Sequence, residues 1–145
     1  MKLNNKYLLR YSVHVFLPIA IGSLIYILIR PDTYVSNWIY ERLGFQAQGD
    51  VPLMFQPKWL YTFLTGHAAD ILWAYSLAHA VFWILGGGFG CWLPTIICIA
   101  FAVGIESMQL FPLLSGTFDW WDILLEICTI AIVSLKIKLH REARK

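Results

Sequence analysis

Residues 11–29 read YSVHVFLPIAIGSLIYILI, an uncharged and largely apolar run that ends at Arg30. A helix of this length, at about 1.5 Å per residue, crosses a hydrocarbon core about 30 Å thick. A basic segment precedes the run, as in a signal peptide, but the run is longer than a signal h-region and no small-residue cleavage site follows it. The stretch therefore predicts a retained membrane anchor.

The composition of the whole chain agrees with a membrane protein. Of its 145 residues, 59% are hydrophobic and only 14% are charged, and the mean hydropathy is +0.62. A soluble domain needs more charge to cover its surface, whereas here the apolar residues form long runs. Three further runs predict spans at about 70–85, 89–111 and 120–135. We predict an all-α fold, a single membrane domain over residues 1–145 that forms a four-helix bundle.

The distribution of basic residues predicts the direction of the helices. Of the eleven lysines and arginines, three precede the first span and five follow the last. Because basic residues are enriched on the cytoplasmic side, both termini are predicted to be cytoplasmic and residues 31–68 to form an extracytoplasmic loop. The net charge of +2 is too small to indicate a nucleic-acid partner. The eight terminal residues are Lys2, Lys6, Arg10, Lys136, Lys138, Arg141, Arg144 and Lys145.

The long loop is predicted to contain two short helices that lie flat at the membrane interface. The first begins at Asp32 or Thr33 and is stopped by Gly44. The second begins at Pro57 and is stopped by Gly66. Both are rich in tryptophan and tyrosine, which prefer the interface between lipid and water.

Carboxylates near the ends of the third and fourth spans are the strongest indication of a functional site. Ionisable groups in a bilayer cost roughly 2.5 to 3.5 kcal/mol on insertion scales, so they need an explanation. Glu106 and Gln109 are three residues apart and share a helical face. Asp119, Asp122 and Glu126 share a face of the next helix. We predict that the two faces meet near the outer surface.

Several interpretations of these groups remain open. Asp119 can simply cap a helix, and Glu106 can be a structural carboxyl that locks two helices together. If the acids are ionised, either Arg30 pairs with Glu106, or a bound cation or a cationic group of a ligand completes the site. No recognised calcium or magnesium motif is present, so we predict no metal site and no cofactor.

Two residues at the predicted start of the second span extend the candidate site. Asp70 can cap that span while His67 faces water, and together they resemble the histidine and aspartate of a hydrolase. No serine or cysteine stands out as the nucleophile, although Ser107 and Ser115 are near in sequence. Catalysis is therefore left open, with Glu106 as the candidate acid or base.

The remaining histidines and cysteines of the spans have structural interpretations. His14 is expected to reach the interface or cap its helix, and His79 to hydrogen-bond a neighbouring helix. Cys91, Cys98 and Cys128 are expected to be free thiols that fill apolar space.

The stretch ESMQ at residues 106–109, followed by GTFDWWDIL at residues 116–124, resembles the signature of the VanZ-like family of small bacterial membrane proteins. The segment DILWAYSL at residues 70–77 is similar to the second span of that family. Gly116, Glu126 and Thr129 depart from the family pattern, in which arginine, asparagine and glycine are common. The resemblance implies a multi-pass protein of the bacterial cytoplasmic membrane, associated with resistance to glycopeptide antibiotics, especially lipid-tailed ones.

We therefore expect a non-catalytic envelope protein that binds an amphiphile, a lipid-linked cell-wall precursor or a lipoglycopeptide at an acidic site near the outer face of the bilayer. One alternative is a membrane-embedded enzyme that acts on a lipid-linked substrate. Another is an accessory subunit whose acidic helix face binds a membrane protein partner. The site residues are Arg30, His67, Asp70, Glu106, Gln109, Asp119, Asp122 and Glu126.

Overall fold

The computed structural model describes residues 9–29, 38, 41–42, 58–85, 90–111 and 118–143. Within these ranges 91% of the residues are helical and none lies in a strand, which confirms the all-α fold. The described residues form four long helices. Helix α1 consists of the π-helical segment Ser12–Phe16 followed by Leu17–Ile29. Helix α2 consists of Lys58–Phe63, the π-helical segment Leu64–Ala68 and then Ala69–Ile84, whereas α3 is Trp92–Met108 and α4 is Trp120–Glu142.

One helix in the described part of the chain, Leu9–Ile27, is long and apolar enough to cross a membrane by length and composition. It coincides with the first predicted span. Helix α3 is apolar but shorter. The second and fourth predicted spans also lie on helices, α2 and α4, which carry more polar residues than α1.

The predicted stop at Gly66 is wrong. The helix that begins at Lys58 does not end there but passes through the π-helical segment into Ala69–Ile84. A glycine inside a helix costs only about 1 kcal/mol relative to alanine, and the contacts of this segment with α1 and α4 can offset that cost. As a result, Asp70 lies inside a continuous helix and does not act as its cap.

The other helix predicted in the loop lies largely outside the described residues. Trp38, Glu41 and Arg42 are helical, and the guanidinium of Arg42 is 5.7 Å from the centroid of the Trp38 ring.

Helix α4 extends to Glu142, past the predicted end at about residue 135, because the basic tail continues the helix. Lysine and arginine are good helix formers, and they interact favourably with the negative end of the helix dipole.

Helix α2 is the centre of the bundle and packs against α1, α3 and α4. The two residues that it contributes to the buried core, Ala74 and Ala78, are alanines, which allow the helix backbones to approach closely. A hydrogen bond of 2.9 Å from the Thr95 hydroxyl to the Ser134 hydroxyl joins α3 to α4. The buried core consists of Ala74, Ala78, Cys98, Ala102, Ile130 and Val133.

The contact between α1 and α2 includes a polar pair that the sequence did not predict. Nδ1 of His14 and the hydroxyl of Tyr75 form a hydrogen bond of 2.7 Å. His14 therefore faces α2 and does not reach for the interface or cap α1. Its place in a π-helical segment follows from Pro18, which has no N–H to bond the carbonyl of His14 and whose ring crowds that carbonyl. All three cysteines are free thiols, as predicted.

Candidate functional site

The structure brings seven of the eight predicted site residues to one end of the bundle. We call this cluster the acidic site. It lies where the π-helical segment of α2, the last turn of α3 and the first turns of α4 meet. Arg30 and its predicted pairing with Glu106 lie outside the described residues. The members of the acidic site are His67, Asp70, Glu106, Gln109, Asp119, Asp122 and Glu126.

A contact between His67 and Asp122 joins α2 to α4. Nδ1 of His67 lies 2.5 Å from Oδ1 of Asp122, and the two side chains are only 23% and 13% exposed. The sequence suggested Asp70 as a partner for His67, whereas the contact of Nδ1 is with Asp122 of α4. A carboxylate bound to one ring nitrogen fixes the orientation of the imidazole and leaves the other nitrogen available. The pair can therefore orient a bound group or assist a proton transfer.

Glu106 is the most deeply buried acid of the site, with 4% of its surface exposed. Its Oε1 accepts a hydrogen bond of 2.8 Å from the side-chain amide of Gln109, which the three-residue spacing predicts. Its Oε2 is buried and has no hydrogen-bond partner among the described residues, although the backbone N–H of Asp119 interacts with the carboxyl group. A buried polar atom without a partner is costly, so this oxygen is available to a ligand or a proton.

Asp119 caps α4 and lies close to His67 and Asp122. One oxygen, Oδ1, accepts a hydrogen bond of 2.9 Å from the backbone N–H of Trp121, which confirms the predicted helix cap. His67, Asp119 and Asp122 also offer ligand atoms that lie within 4.8 Å of one another. Imidazole and carboxylate are ligands that divalent cations accept. The geometry is thus compatible with the bound cation that the sequence left open, although the three residues follow no sequence motif and no metal site was predicted.

Glu126 and Asp70 add two further carboxyl groups one turn deeper in the bundle. Glu126 is close enough to Asp70, Glu106 and Asp122 to interact electrostatically with each of them. Its Oε2 is buried without a hydrogen-bond partner among the described residues. The charges that act most strongly on Glu106 and Glu126 are therefore those of other carboxylates. Such a cluster of carboxyl groups is stabilised by a positively charged group or by protonation of some of its members.

The sequence predicted His67 and the α3 and α4 faces as parts of the site, but not the contact between His67 and Asp122. His67 lies in the π-helical segment Leu64–Ala68, which the sequence did not predict. Segments of this kind are frequent at functional sites. No residue pattern marks them in advance, because they depend on how the helix packs against its neighbours.

Comparison of the chain with protein-family models, with curated proteins and with solved structures gives no match.

The unpartnered oxygen of Glu106 leads to a prediction on stability. We expect Glu106→Gln to unfold at the same temperature as the wild type or above it. Glutamine keeps the volume and the acceptor for Gln109, and it replaces a carboxyl among other acids with an amide that can donate to them. Thermal unfolding in detergent, followed by circular dichroism, measures the effect.

Glu106→Ala is the control for that variant, because it leaves a cavity and removes the acceptor of Gln109. It should unfold at a lower temperature than the wild type. A fall for Glu106→Gln as large as that for Glu106→Ala would mean that the carboxyl itself holds the helices together, as the structural interpretation requires.

Proposed function

We propose that this chain is a multi-pass protein of the bacterial cytoplasmic membrane with both termini in the cytoplasm. The proposal is supported by large apolar side chains that are exposed along all four helices. Within a membrane these side chains contact lipid, whereas in water they would form apolar patches larger than monomeric soluble proteins tolerate. Examples are Phe16, Leu24, Trp83, Ile84, Ile96, Phe101, Ile105, Ile132 and Leu135.

The topology has a direct test. With the native cysteines replaced by alanine, single cysteines are placed at Leu9, Lys58 and Ala143, and a membrane-impermeant maleimide is added to intact cells. We expect labelling at position 58 without permeabilisation, and at positions 9 and 143 only after it, because the basic ends remain inside. Labelling of position 143 in intact cells would contradict the topology.

We infer that the acidic site binds the positively charged head of an amphiphilic envelope component. The observation that carries this inference is the convergence of His67, Asp122 and Glu106 from three different helices, with buried carboxylate oxygens that have no partner among the described residues. The positive charge is either an ammonium group of the ligand or a divalent cation held by the cluster. The apolar part of the amphiphile then lies along the exposed helix faces.

The resemblance of residues 104–124 to the VanZ-like family suggests a lipid-tailed glycopeptide as the first probe. We expect saturable binding to the wild-type protein in phosphatidylcholine nanodiscs, measured by the intrinsic fluorescence of tryptophan. Binding should weaken when the acyl tail of the probe is removed, because both the charge and the tail contribute. Equal binding to nanodiscs without protein would contradict the proposal. Adding a chelator, and then magnesium or manganese, shows whether a metal ion mediates the binding.

A second function is favoured by one specific observation. The couple of His67 and Asp122 lies beside a carboxyl, Glu106, whose Oε2 has no partner among the described residues, and this arrangement suits general acid and base chemistry on a lipid-linked substrate. Glu106→Gln separates the two functions. An enzyme loses its turnover with this variant and keeps substrate binding, whereas a binding protein changes only in affinity.

A further inference from the structure

A second polar site lies at the other end of the bundle, between the start of α1 and the ends of α2 and α4. It is a cavity of about 830 Å³, which we call the basic pocket. Small-molecule sites in proteins have volumes of this order. Its wall also includes apolar side chains such as Val15, Trp83 and Ile137. Its basic and imidazole groups are Arg10, His14, His79, Lys136, His140 and Arg141.

The inner wall of the basic pocket is formed by two stacked imidazoles. The rings of His14 and His79 are nearly parallel, with an angle of 16° and a distance of 4.6 Å between their centroids. Nδ1 of His14 is engaged by Tyr75, but Nε2 of His79 is buried without a hydrogen-bond partner among the described residues. The predicted hydrogen bond from His79 to a neighbouring helix is therefore not made by this nitrogen, which is left for a ligand.

The basic side chains surround this imidazole pair. Lys136 is close enough to His79 to interact with it electrostatically, and the guanidinium of Arg141 lies 5.9 Å from the centroid of the Phe82 ring. The cytoplasmic bias of lysine and arginine explains why basic residues occur at this end. It does not explain why residues from three helices line one cavity together with a buried, unpartnered imidazole.

We propose that the basic pocket binds the phosphate group of an anionic lipid, with phosphate oxygens on Lys136 and Nε2 of His79 and the glycerol and acyl parts against the apolar wall. Basic pockets between transmembrane helices on the cytoplasmic side have this use in membrane proteins. The apolar wall favours a lipid, although a soluble phosphate compound offers the same anionic chemistry. This inference does not depend on the acidic site, because Asp122 and Lys136 are about 21 Å apart along α4 at about 1.5 Å per residue.

Lys136 and Lys138 form a matched pair for the test. Both are exposed on α4, but only Lys136 lines the basic pocket. Wild-type protein, Lys136→Gln and Lys138→Gln are each placed in nanodiscs of mixed phosphatidylcholine and phosphatidylglycerol, and native mass spectrometry counts the lipids that each retains. We expect the wild type to be enriched in phosphatidylglycerol. Lys136→Gln should lower that enrichment about five-fold, the factor for one basic residue near an anionic surface, and Lys138→Gln should leave it nearly unchanged.

A second experiment distinguishes an anionic lipid from a soluble phosphate compound as the ligand. The same proteins in pure phosphatidylcholine nanodiscs are titrated with inorganic pyrophosphate by calorimetry. Binding of pyrophosphate that depends on Lys136, without enrichment of phosphatidylglycerol, assigns the pocket to a soluble phosphate compound. The proposal is overturned if neither ligand binds, or if the two lysine variants lose phosphatidylglycerol equally, which would be the general effect of surface charge. Circular dichroism verifies that each variant is folded.

Discussion

Asp122→Asn is expected to lower the affinity of the acidic site for a cationic amphiphile about 10- to 100-fold. Asparagine has nearly the shape of aspartate, but it removes the charge that faces His67 and the ligand. Hydrogen bonds that involve a charged group contribute about 1.5–3 kcal/mol, which corresponds to this range of affinity. The measurement is the fluorescence titration with the lipid-tailed glycopeptide in nanodiscs.

The matched control for Asp122→Asn is Glu142→Gln, which removes one negative charge from the exposed far end of the same helix. It should leave the affinity unchanged, because it lies many turns from the acidic site. An equal loss in both variants would assign the effect to net charge. An unchanged affinity for Asp122→Asn, in a protein that is folded, would remove the acidic site from the proposed function.

Ala78→Leu is expected to destabilise the bundle by about 1–3 kcal/mol. Ala78 is completely buried on the central helix α2, in the same core cluster as Cys98 and Ile130, each of which also has 0% of its surface exposed. The larger side chain of leucine has to push α2 away from α3 or α4. Unfolding by increasing concentrations of sodium dodecyl sulfate, added to protein in mild detergent, measures the loss.

Ala100→Leu serves as the control for this substitution, because Ala100 is exposed on α3, only two residues from Cys98. The same increase in volume should cost little there. If Ala78→Leu were as stable as Ala100→Leu, the close packing of α2 against its neighbours would be wrong, and with it the arrangement that brings His67 to α4.

The parts of the acidic site that could be predicted are those that depend on local spacing. Glu106 and Gln109 share a face because they are three residues apart, and the cap formed by Asp119 depends only on the first turn of α4. The contact between His67 and Asp122 joins residues 55 apart in the chain. Such a contact depends on how two helices pack, and a single sequence contains no direct signal for it.

Some helix boundaries could likewise be predicted from the sequence, and others could not. The apolar run of α1 predicted its extent well, because length and hydropathy are enough for an isolated span. Gly66 does not end α2 as predicted, because packing outweighs the weak preference of glycine against a helix. The basic pocket was missed because His14 and His79 were each interpreted separately, although they lie on different helices and stack on each other.

The π-helical segment Leu64–Ala68 determines how the chain can change in length at this point. A π-helical turn holds one residue more than an α-helical turn. Deleting one residue here would therefore let the helix close into regular α-helical turns, with the parts before and after the segment in nearly the same relative orientation. The same deletion in a regular part of α2 would rotate everything before it by about 100° against the bundle. The segment is thus the place in α2 where the chain can lose one residue with the least change in the packing of the rest.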